Sequence, residues 1–251
     1  INLMGTIFEK KGFYKEAKDH FLRAIELDEN FVLAKINIAT LYQLEGKIQI
    51  ADKIYIDLLK EHPKNLDVIY RQSEFALMLE RFDEGWKNYE YRWKVFPMNK
   101  VVWPFQDKPL WNGERGKRVV LWKEQGIGDQ IIFLGLALEV QEMCETLTVE
   151  VDPRLQSLCR RAMPEINFVK DNESIKNVEC DYHIPLGSVP RLLRNNIGDF
   201  ERTVNGYLRA DPERVEAIRT ELSLDGKTAI GISWRSFNSL TQTKKSIQLR
   251  D

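Results

Sequence analysis

The chain has 251 residues, of which 43% are hydrophobic and 30% charged, so its composition is that of one or two globular domains and excludes a disordered chain. Its net charge of −1 excludes a general nucleic-acid binder or a binder of anionic membranes, because both need an excess of basic residues. The three cysteines, Cys144, Cys159 and Cys180, are widely spaced and form no CxxC motif. We expect reduced thiols in a cytoplasmic protein, and the spacing of histidines and cysteines predicts no metal site.

The first hundred residues repeat themselves at a fixed interval. Gly12 and Gly46 lie 34 residues apart, as do Ala17 and Ala51, and Gly85 follows Ala51 at the same distance. A 34-residue period is typical of tetratricopeptide repeats, in which two antiparallel helices form each unit. We therefore predict three helical hairpins over residues 1–96, with the two glycines ending the first helix of their units.

Tetratricopeptide arrays resemble scaffolds that bind peptides on a concave face. The repeat thus predicts a possible peptide or protein partner, as an analogy at the level of the fold. The alternative is an array that only packs against the next domain.

Aromatic residues crowd the end of the repeat region and the segment after it. They are Trp86, Tyr89, Tyr91, Trp93, Trp103, Phe105 and Trp111. Aromatic rings bury a large apolar area, so this cluster indicates an internal interface. A platform for stacking nucleic-acid bases would also need a basic groove, which the net charge does not favour.

From residue 97 onward, short apolar runs alternate with helical patterns. Strand-like runs occupy 118–123, 146–151, 166–169, 181–186 and 228–234, and helical patterns occupy about 130–143, 153–162, 188–194 and 212–223. This alternation predicts a parallel sheet with helices on both faces. Such sheets bind ligands at the carboxyl ends of their strands.

The loop Glu124–Asp129 follows the first of these strands and precedes a helix. Its two glycines, Gly126 and Gly128, would let backbone amides approach a ligand at the start of that helix. Ile131 stands where a dinucleotide fingerprint has its third glycine. From the residues alone, Asp129 is either a helix cap or a general base at the mouth of a cleft.

Several motifs together resemble one family. They are Glu84–Trp86, Tyr89–Trp93, Trp111–Glu114, Glu124–Asp129, His183–Pro190, Gly206–Leu208, Gly231–Trp234 and Lys245–Leu249. In this order they are similar to bacterial tetratricopeptide proteins whose C-terminal part resembles heptosyltransferases and O-linked N-acetylglucosamine transferases. The resemblance implies a two-lobed GT-B glycosyltransferase, with a Rossmann-like N-terminal lobe over residues 97–225 and with residues 226–251 beginning the second lobe.

The same resemblance assigns roles to residues. It implies that Asp129 is the catalytic base, and we expect substrate binding by Gln125, Gly126, Gly128, His183 and Ser188. Basic residues at the start of the second lobe would contact the phosphates of the donor, and the matching positions are Lys244 and Lys245, with Arg235 as a further candidate. The donor would be a nucleoside diphosphate sugar, used as a substrate, and neither a metal nor a cofactor is implied.

The chain starts at Ile1 and stops at Asp251, just after the first strand of the expected second lobe. We therefore expect a piece of a longer protein that cannot by itself bind a nucleotide sugar tightly or transfer the sugar. Two other functions stay open. One is an interaction scaffold with a non-catalytic α/β domain. The other is a nucleotide-dependent oxidoreductase, with Glu150 and Asp152 as the nearest candidates for binding a ribose.

Overall fold

A computed structural model of the chain describes residues 1–170, 172–203, 206–224, 226–228 and 230–231. The structure contains two compact units. One comprises residues 1–75 and the other residues 76–225. The domain boundary drawn from the sequence at residue 96 stays a prediction, and the basic residues expected to contact the donor (Arg235, Lys244 and Lys245) lie outside the described residues.

Six helices open the described chain. Their bounds are α1 Asn2–Lys10, α2 Tyr14–Leu27, α3 Val32–Leu44, α4 Ile48–Glu61, α5 Leu66–Met78 and α6 Phe82–Tyr89. The second helices of the three hairpins begin at Tyr14, Ile48 and Phe82, 34 residues apart. The predicted period is therefore the period of the helices.

Small residues lie where the two helices of a hairpin touch. A Cβ at Gly5 would come within 2.5 Å of the Phe21 ring, and a Cβ at Gly85 within 2.6 Å of the Leu77 side chain. Neither position can hold a larger residue unless its neighbour shifts. The close contact between the helices thus explains the small residues found at these repeat positions.

The turn inside each hairpin uses the left-handed backbone conformation at a fixed place. Gly12 and Gly46 have φ of 84° and 74°, as expected for glycines that end a helix. In the third hairpin the same position holds Glu80, with φ of 60°. A side chain in this conformation costs about 1–2 kcal/mol, and glycine avoids that cost.

We expect Glu80→Gly to raise the free energy of unfolding by about 1 kcal/mol, because it removes a side chain from the left-handed conformation. Gly46→Ala should lower the free energy of unfolding by about as much, because it places a side chain in that conformation. Urea unfolding of both variants would measure the effect. A Glu80→Gly variant less stable than the wild type would show that the side chain of Glu80 contributes more than its backbone costs.

The α/β part begins with short 3₁₀ turns at Glu90–Lys94 and Met98–Lys100, followed by the first strand. Its strands are β1 Arg118–Trp122, β2 Thr146–Glu150, β3 Asn167–Val169 and β4 Tyr182–Pro185. Its helices are α7 Ile127–Leu134, α8 Ala137–Gln141, α9 Gln156–Ala162, α10 Asn172–Lys176, α11 Pro190–Leu193 and α12 Pro212–Glu221. Further 3₁₀ turns occupy Pro153–Leu155, Leu186–Ser188 and Ile197–Thr203.

The four described strands form one sheet in the order β3-β2-β1-β4, and every pairing is parallel. This confirms the predicted fold class of helical hairpins followed by a Rossmann-like parallel sheet. β1 is a central strand, with β2 on one side and β4 on the other. Most of the run predicted as a strand over 228–234 lies outside the described residues.

The sheet separates two apolar clusters. The larger contains Val119 and Leu121 of β1 together with residues of β2, α7 and α9. The smaller contains Val120 and Trp122, on the other face of the same strand, with Phe105 and the partly buried Trp93 and Trp103. Of the aromatic residues singled out in the sequence, Trp93, Trp103 and Phe105 thus cover one face of the sheet, whereas Trp111 packs in the larger cluster on the other face.

An ion pair joins the start of β1 to the residue before β4. Asp181 accepts the backbone N–H of Arg118 at 2.9 Å and contacts its guanidinium at 2.7 Å. The hydrogen bond from the Arg118 side chain, and then that from its backbone, lower the pKa of Asp181 to about 2, from an ordinary value of 3.8.

A carboxyl whose pKa is lowered in the folded state stabilises the fold above its unfolded pKa, and that contribution disappears as the pH falls through the folded value. We therefore expect Asp181→Asn to destabilise the protein at pH 6, and the difference from the wild type to shrink between about pH 4 and pH 2. Urea unfolding at several pH values would measure it. A difference that stays constant over this range would mean that Asp181 does not act through its charge.

Cys144, Cys159 and Cys180 are free. Burial raises the pKa of the Cys144 and Cys159 thiols to about 11, so both stay protonated at neutral pH. Within the described part of the chain, no helix combines the length and the apolar character needed to cross a membrane.

Candidate functional site

The carboxyl end of β1 leads into a tight loop and then into α7. Lys123, Glu124 and Gln125 follow the strand, and Gly126 is the residue at which α7 is capped. Asp129 lies in the first turn of the helix, and its Oδ2 accepts the backbone N–H of Gly126 at 3.1 Å. A carboxylate here satisfies a free amide and lies at the positive end of the helix dipole, so Asp129 stabilises the start of α7.

Asp129 is partly exposed, and its Oδ1 takes no hydrogen bond from the described residues. Gly128 is exposed, and a Cβ placed on it would meet nothing within 4 Å. A Cβ on Gly126 would lie 3.3 Å from Asp129 Oδ2. Gly126 therefore leaves space for the carboxylate, whereas Gly128 leaves the backbone open to solvent.

A cleft of about 220 Å³ lies at the carboxyl edge of the sheet, beside β1 and β2. Its lining residues are Val101, Val102, Pro104, Trp122, Lys123, Glu124, Gln125, Gln130 and Asp152. Of the candidate residues named from the sequence, Gln125 and Asp152 line this cleft. Asp129 is not among its lining residues, although it directly precedes Gln130 in α7.

Gln130 joins the two loops that border the cleft. Its Oε1 accepts the backbone N–H of Asp152 at 2.8 Å, and its Nε2 donates to the carbonyl oxygen of Gln125 at 3.1 Å. The side chain is 4% exposed. Gln130 thereby fixes the distance between the ends of β1 and β2. Sequence reasoning missed this role, although a single amide side chain inside an apolar helix was the available signal.

Two further ion pairs border the cleft. The ammonium of Lys123 contacts Glu150 Oε1 at the end of β2. The Glu150 side chain is buried, and its Oε2 has no hydrogen-bond partner among the described residues. Asp152 pairs with Arg154 at 2.9 Å, and the hydrogen bonds from the Arg154 side chain and backbone lower the pKa of Asp152 to about 2.

Between the ends of β1 and β4 the chain builds a buried ionic network around Arg92, which is 0% exposed. The guanidinium donates to both carboxylate oxygens of Glu124, at 2.8 and 2.9 Å, and to Glu90 Oε1 at 2.8 Å. It lies 4.4 Å from the centre of the Tyr89 ring and 4.5 Å from that of Trp93. Glu124 Oε1 also accepts the backbone N–H of Gly187 at 2.6 Å, so the ends of β1 and β4 are joined directly.

Ser188 belongs to the same network. Its Oγ accepts from Arg92 at 2.7 Å and donates to Glu90 Oε1 at 2.7 Å. Ser188 is buried, and these contacts are internal. Its role in substrate binding stays a prediction, and the role that the structure gives it is to hold Arg92 and Glu90 together.

His183 lies in β4 and faces the aromatic cluster. Its Nδ1 accepts from Trp122 Nε1 at 3.0 Å, and its Nε2 is 3.2 Å from the carbonyl oxygen of Lys108. With the first nitrogen accepting and the second donating, the ring is neutral, and burial lowers the pKa of His183. The side chain also borders a wider groove of about 520 Å³ formed with residues 101–110. Substrate binding by His183 likewise stays a prediction.

The described residues contain no group of three or more side chains suited to hold a metal ion. The second unit has a cleft at the carboxyl edge of its parallel sheet and a carboxylate, Asp129, in the first turn of the nearby helix. The buried Arg92 network fills the space between the ends of β1 and β4.

Comparison with known proteins adds one relative. No known family model matches the chain. The chain is 27% identical over 199 residues to Protein FlbA of Caulobacter vibrioides, and the match covers 69% of this chain but 32% of FlbA. The chain thus spans about a third of that relative's length.

Among solved structures, a mutant O-GlcNAc transferase of Thermobaculum terrenum matches over 66% of this chain and 39% of its own. The identity is 8% and the TM-score 0.33, which is too low to support a statement about fold or function.

Proposed function

We propose that this chain forms the repeat region and the acceptor-side lobe of a GT-B glycosyltransferase, which transfers a sugar from a nucleoside diphosphate sugar to a hydroxyl group. The observation that carries the proposal is the position of Asp129. Its carboxylate follows the central strand of a parallel sheet, is partly exposed, and keeps one oxygen without a described partner. The sequence motifs similar to those of heptosyltransferases and O-linked N-acetylglucosamine transferases support the same activity.

The chemistry follows from this carboxylate. The acceptor hydroxyl attacks the anomeric carbon of the donor while Asp129 takes its proton, and the bond between that carbon and the diphosphate oxygen breaks. The diphosphate leaves with the bonding electrons. Lys244, Lys245 and Arg235 would stabilise its charge without a metal, because cations positioned beside a leaving phosphate lower the barrier electrostatically.

The helical hairpins would bind a protein or peptide partner, or the acceptor itself. This part of the proposal rests on analogy with other repeat arrays. A scaffold with an inactive α/β domain is the competing function, and the same experiment separates the two.

The test uses the full-length protein to which this chain belongs. It would be incubated with a panel of nucleoside diphosphate sugars, with and without acceptor saccharides, and release of the nucleoside diphosphate would be measured. Acceptor-dependent release from one donor would support glycosyl transfer. A full-length protein that neither binds nor cleaves any donor, but retains a peptide partner on its repeats, would favour the scaffold.

A further inference from the structure

The charged side chains that line the cleft are all paired. Lys123 contacts Glu150, Glu124 contacts Arg92, and Asp152 contacts Arg154. The Lys123–Glu150 and Asp152–Arg154 pairs each balance one cation with one carboxylate, whereas Arg92 is shared by the two carboxylates of Glu124 and Glu90. The cleft therefore offers a ligand no unbalanced positive charge, which disfavours a phosphate or a carboxylate and favours an uncharged polar group.

Most of the polar groups in the lining are also committed to bonds within the protein. Glu124 bonds to Arg92 and Gly187, and Gln130 uses both ends of its amide. The ammonium of Lys123 has three donors, and its contact with Glu150 uses one of them. Its side chain is 28% exposed. Lys123 thus has two donors left for a ligand, and Gln125, whose Nε2 donates to the hydroxyl of Tyr89 at 2.7 Å, keeps one N–H and its carbonyl oxygen beyond the described contacts.

The carboxylate of Glu150, which pairs with Lys123, is buried at a cost in folding free energy. Its side chain is 1% exposed, and one carboxylate oxygen has no partner among the described residues. Burying such an oxygen costs about 1–3 kcal/mol. A buried polar group that stays unsatisfied in a native protein calls for an explanation, and a functional role is a common one. Here the explanation would be that Glu150 both orients the ammonium at the cleft wall and cancels its charge.

The shape of the cleft narrows the ligand further. Its volume of about 220 Å³ is below the roughly 300–1,000 Å³ of pockets that hold drug-sized molecules, so it fits a single ring. Val101, Val102 and Pro104 give it an apolar wall, and Lys123 and Gln125 give it a polar one. A sugar ring has the matching chemistry, with C–H groups on its faces and hydroxyl groups at its edge.

We propose that this cleft binds an uncharged sugar ring, that Lys123 donates hydrogen bonds to its hydroxyl groups, and that Glu150 is the positioning residue that makes the site prefer uncharged over phosphorylated sugars. This inference deepens the proposed function, and rests on it, because it names the class of the acceptor.

The experiment measures binding in the absence of a donor. The full-length protein would be titrated by NMR with methyl glycosides of the common hexoses, and then with the 6-phosphate ester of the hexose that binds best. The wild type should bind a methyl glycoside more tightly than the phosphate ester. Failure of every methyl glycoside to bind, or tighter binding of the phosphate ester, would overturn the proposal.

Two variants test the residues separately. Lys123→Met combined with Glu150→Gln removes both charges and leaves no buried ion unpaired, and it should weaken glycoside binding about tenfold or more. Glu150→Gln alone keeps the ammonium but removes its balancing charge, so the preference should shift toward the phosphate ester. A role of Glu150 in folding alone would leave the ratio of the two affinities unchanged.

Lys117→Met is the matched control. Lys117 precedes the same strand at its other end and pairs with Glu114 at 3.1 Å. It should not change glycoside binding. A folded double variant that binds as tightly as the wild type would refute the role of Lys123.

The two proposals fail separately. Glycoside binding that depends on Lys123, without transfer from any donor, would leave the site standing and remove the transferase. Sugar transfer that the double variant leaves unchanged would remove only the inference about Lys123 and Glu150.

Discussion

Replacing Asp129 with Asn in the full-length protein should lower kcat for sugar transfer by about 10²–10⁴, the range that general base catalysis contributes. The amide cannot accept the proton of the attacking hydroxyl. It can still accept the backbone N–H of Gly126, because its carbonyl oxygen can take the place of the carboxylate Oδ2 that lies 3.1 Å from that amide. The midpoint of thermal unfolding should therefore change little.

Asp211 provides the control for this substitution. It is the residue that caps α12, where it accepts the Arg214 backbone N–H at 3.2 Å, so it likewise satisfies a free amide at the start of a helix. Asp211→Asn should leave kcat unchanged. If Asp129→Asn lowered the unfolding midpoint while the rate stayed the same, Asp129 would be a helix cap without a catalytic role.

Replacing Arg92 with Met should lower the free energy of unfolding by about 3–5 kcal/mol, which is the usual cost of removing one partner from a buried ion pair. Glu124 and Glu90 would lose the guanidinium, and Ser188 would lose a donor. Urea unfolding followed by tryptophan fluorescence would measure the loss. The stability of Arg92→Lys should lie between that of Arg92→Met and that of the wild type, because lysine keeps the charge but not the two parallel hydrogen bonds to Glu124.

A double variant that also changes Glu124, the carboxylate bonded to Arg92 through both oxygens, tests whether the loss comes from an unpaired buried charge. Combining Arg92→Met with Glu124→Gln removes the unpaired buried charge at Glu124 and should restore part of the stability. Arg154→Met breaks an exposed pair with Asp152 and should leave the unfolding midpoint nearly unchanged. Equal losses for Arg92→Met and Arg154→Met would mean that the buried network adds nothing beyond an ordinary surface pair.

Local patterns predicted the elements well because they are set by neighbouring residues. The 34-residue spacing predicted the helices, and the apolar run at 118–123 predicted β1, which spans Arg118–Trp122. The turn conformation of Gly12 and Gly46 is confirmed as well. The left-handed conformation of Glu80 could not be predicted from its residue type, because glutamate rarely adopts it. It follows only from the position of Glu80, 34 residues after Gly46 in the repeat.

The candidate site was harder to predict, because its contacts join residues that are distant in the chain. Arg92 and Glu124 are separated by 32 residues, and Arg92 and Ser188 by 96. Nothing in the sequence around Arg92 indicates that Glu124 and Ser188 are its partners. Gln125 and Gly126 could be assigned to the β1–α7 loop, and Asp129 to the start of α7, because both follow directly from the order of strand and helix. The structure then placed Gln130, Lys123 and Glu150 beside it.

The junction around Arg92 also bears on the third function considered, a nucleotide-dependent oxidoreductase. In a sheet of order 3-2-1-4, a dinucleotide normally enters between the carboxyl ends of β1 and β4, where the strand order reverses. In the described part of this chain, that entrance is filled by its own guanidinium, by Ser188 and by the bond from Gly187 to Glu124. A cofactor pyrophosphate would have to expel a fully buried cation and its carboxylates. The open cleft at this edge of the sheet lies instead beside β1 and β2, one strand away from that entrance.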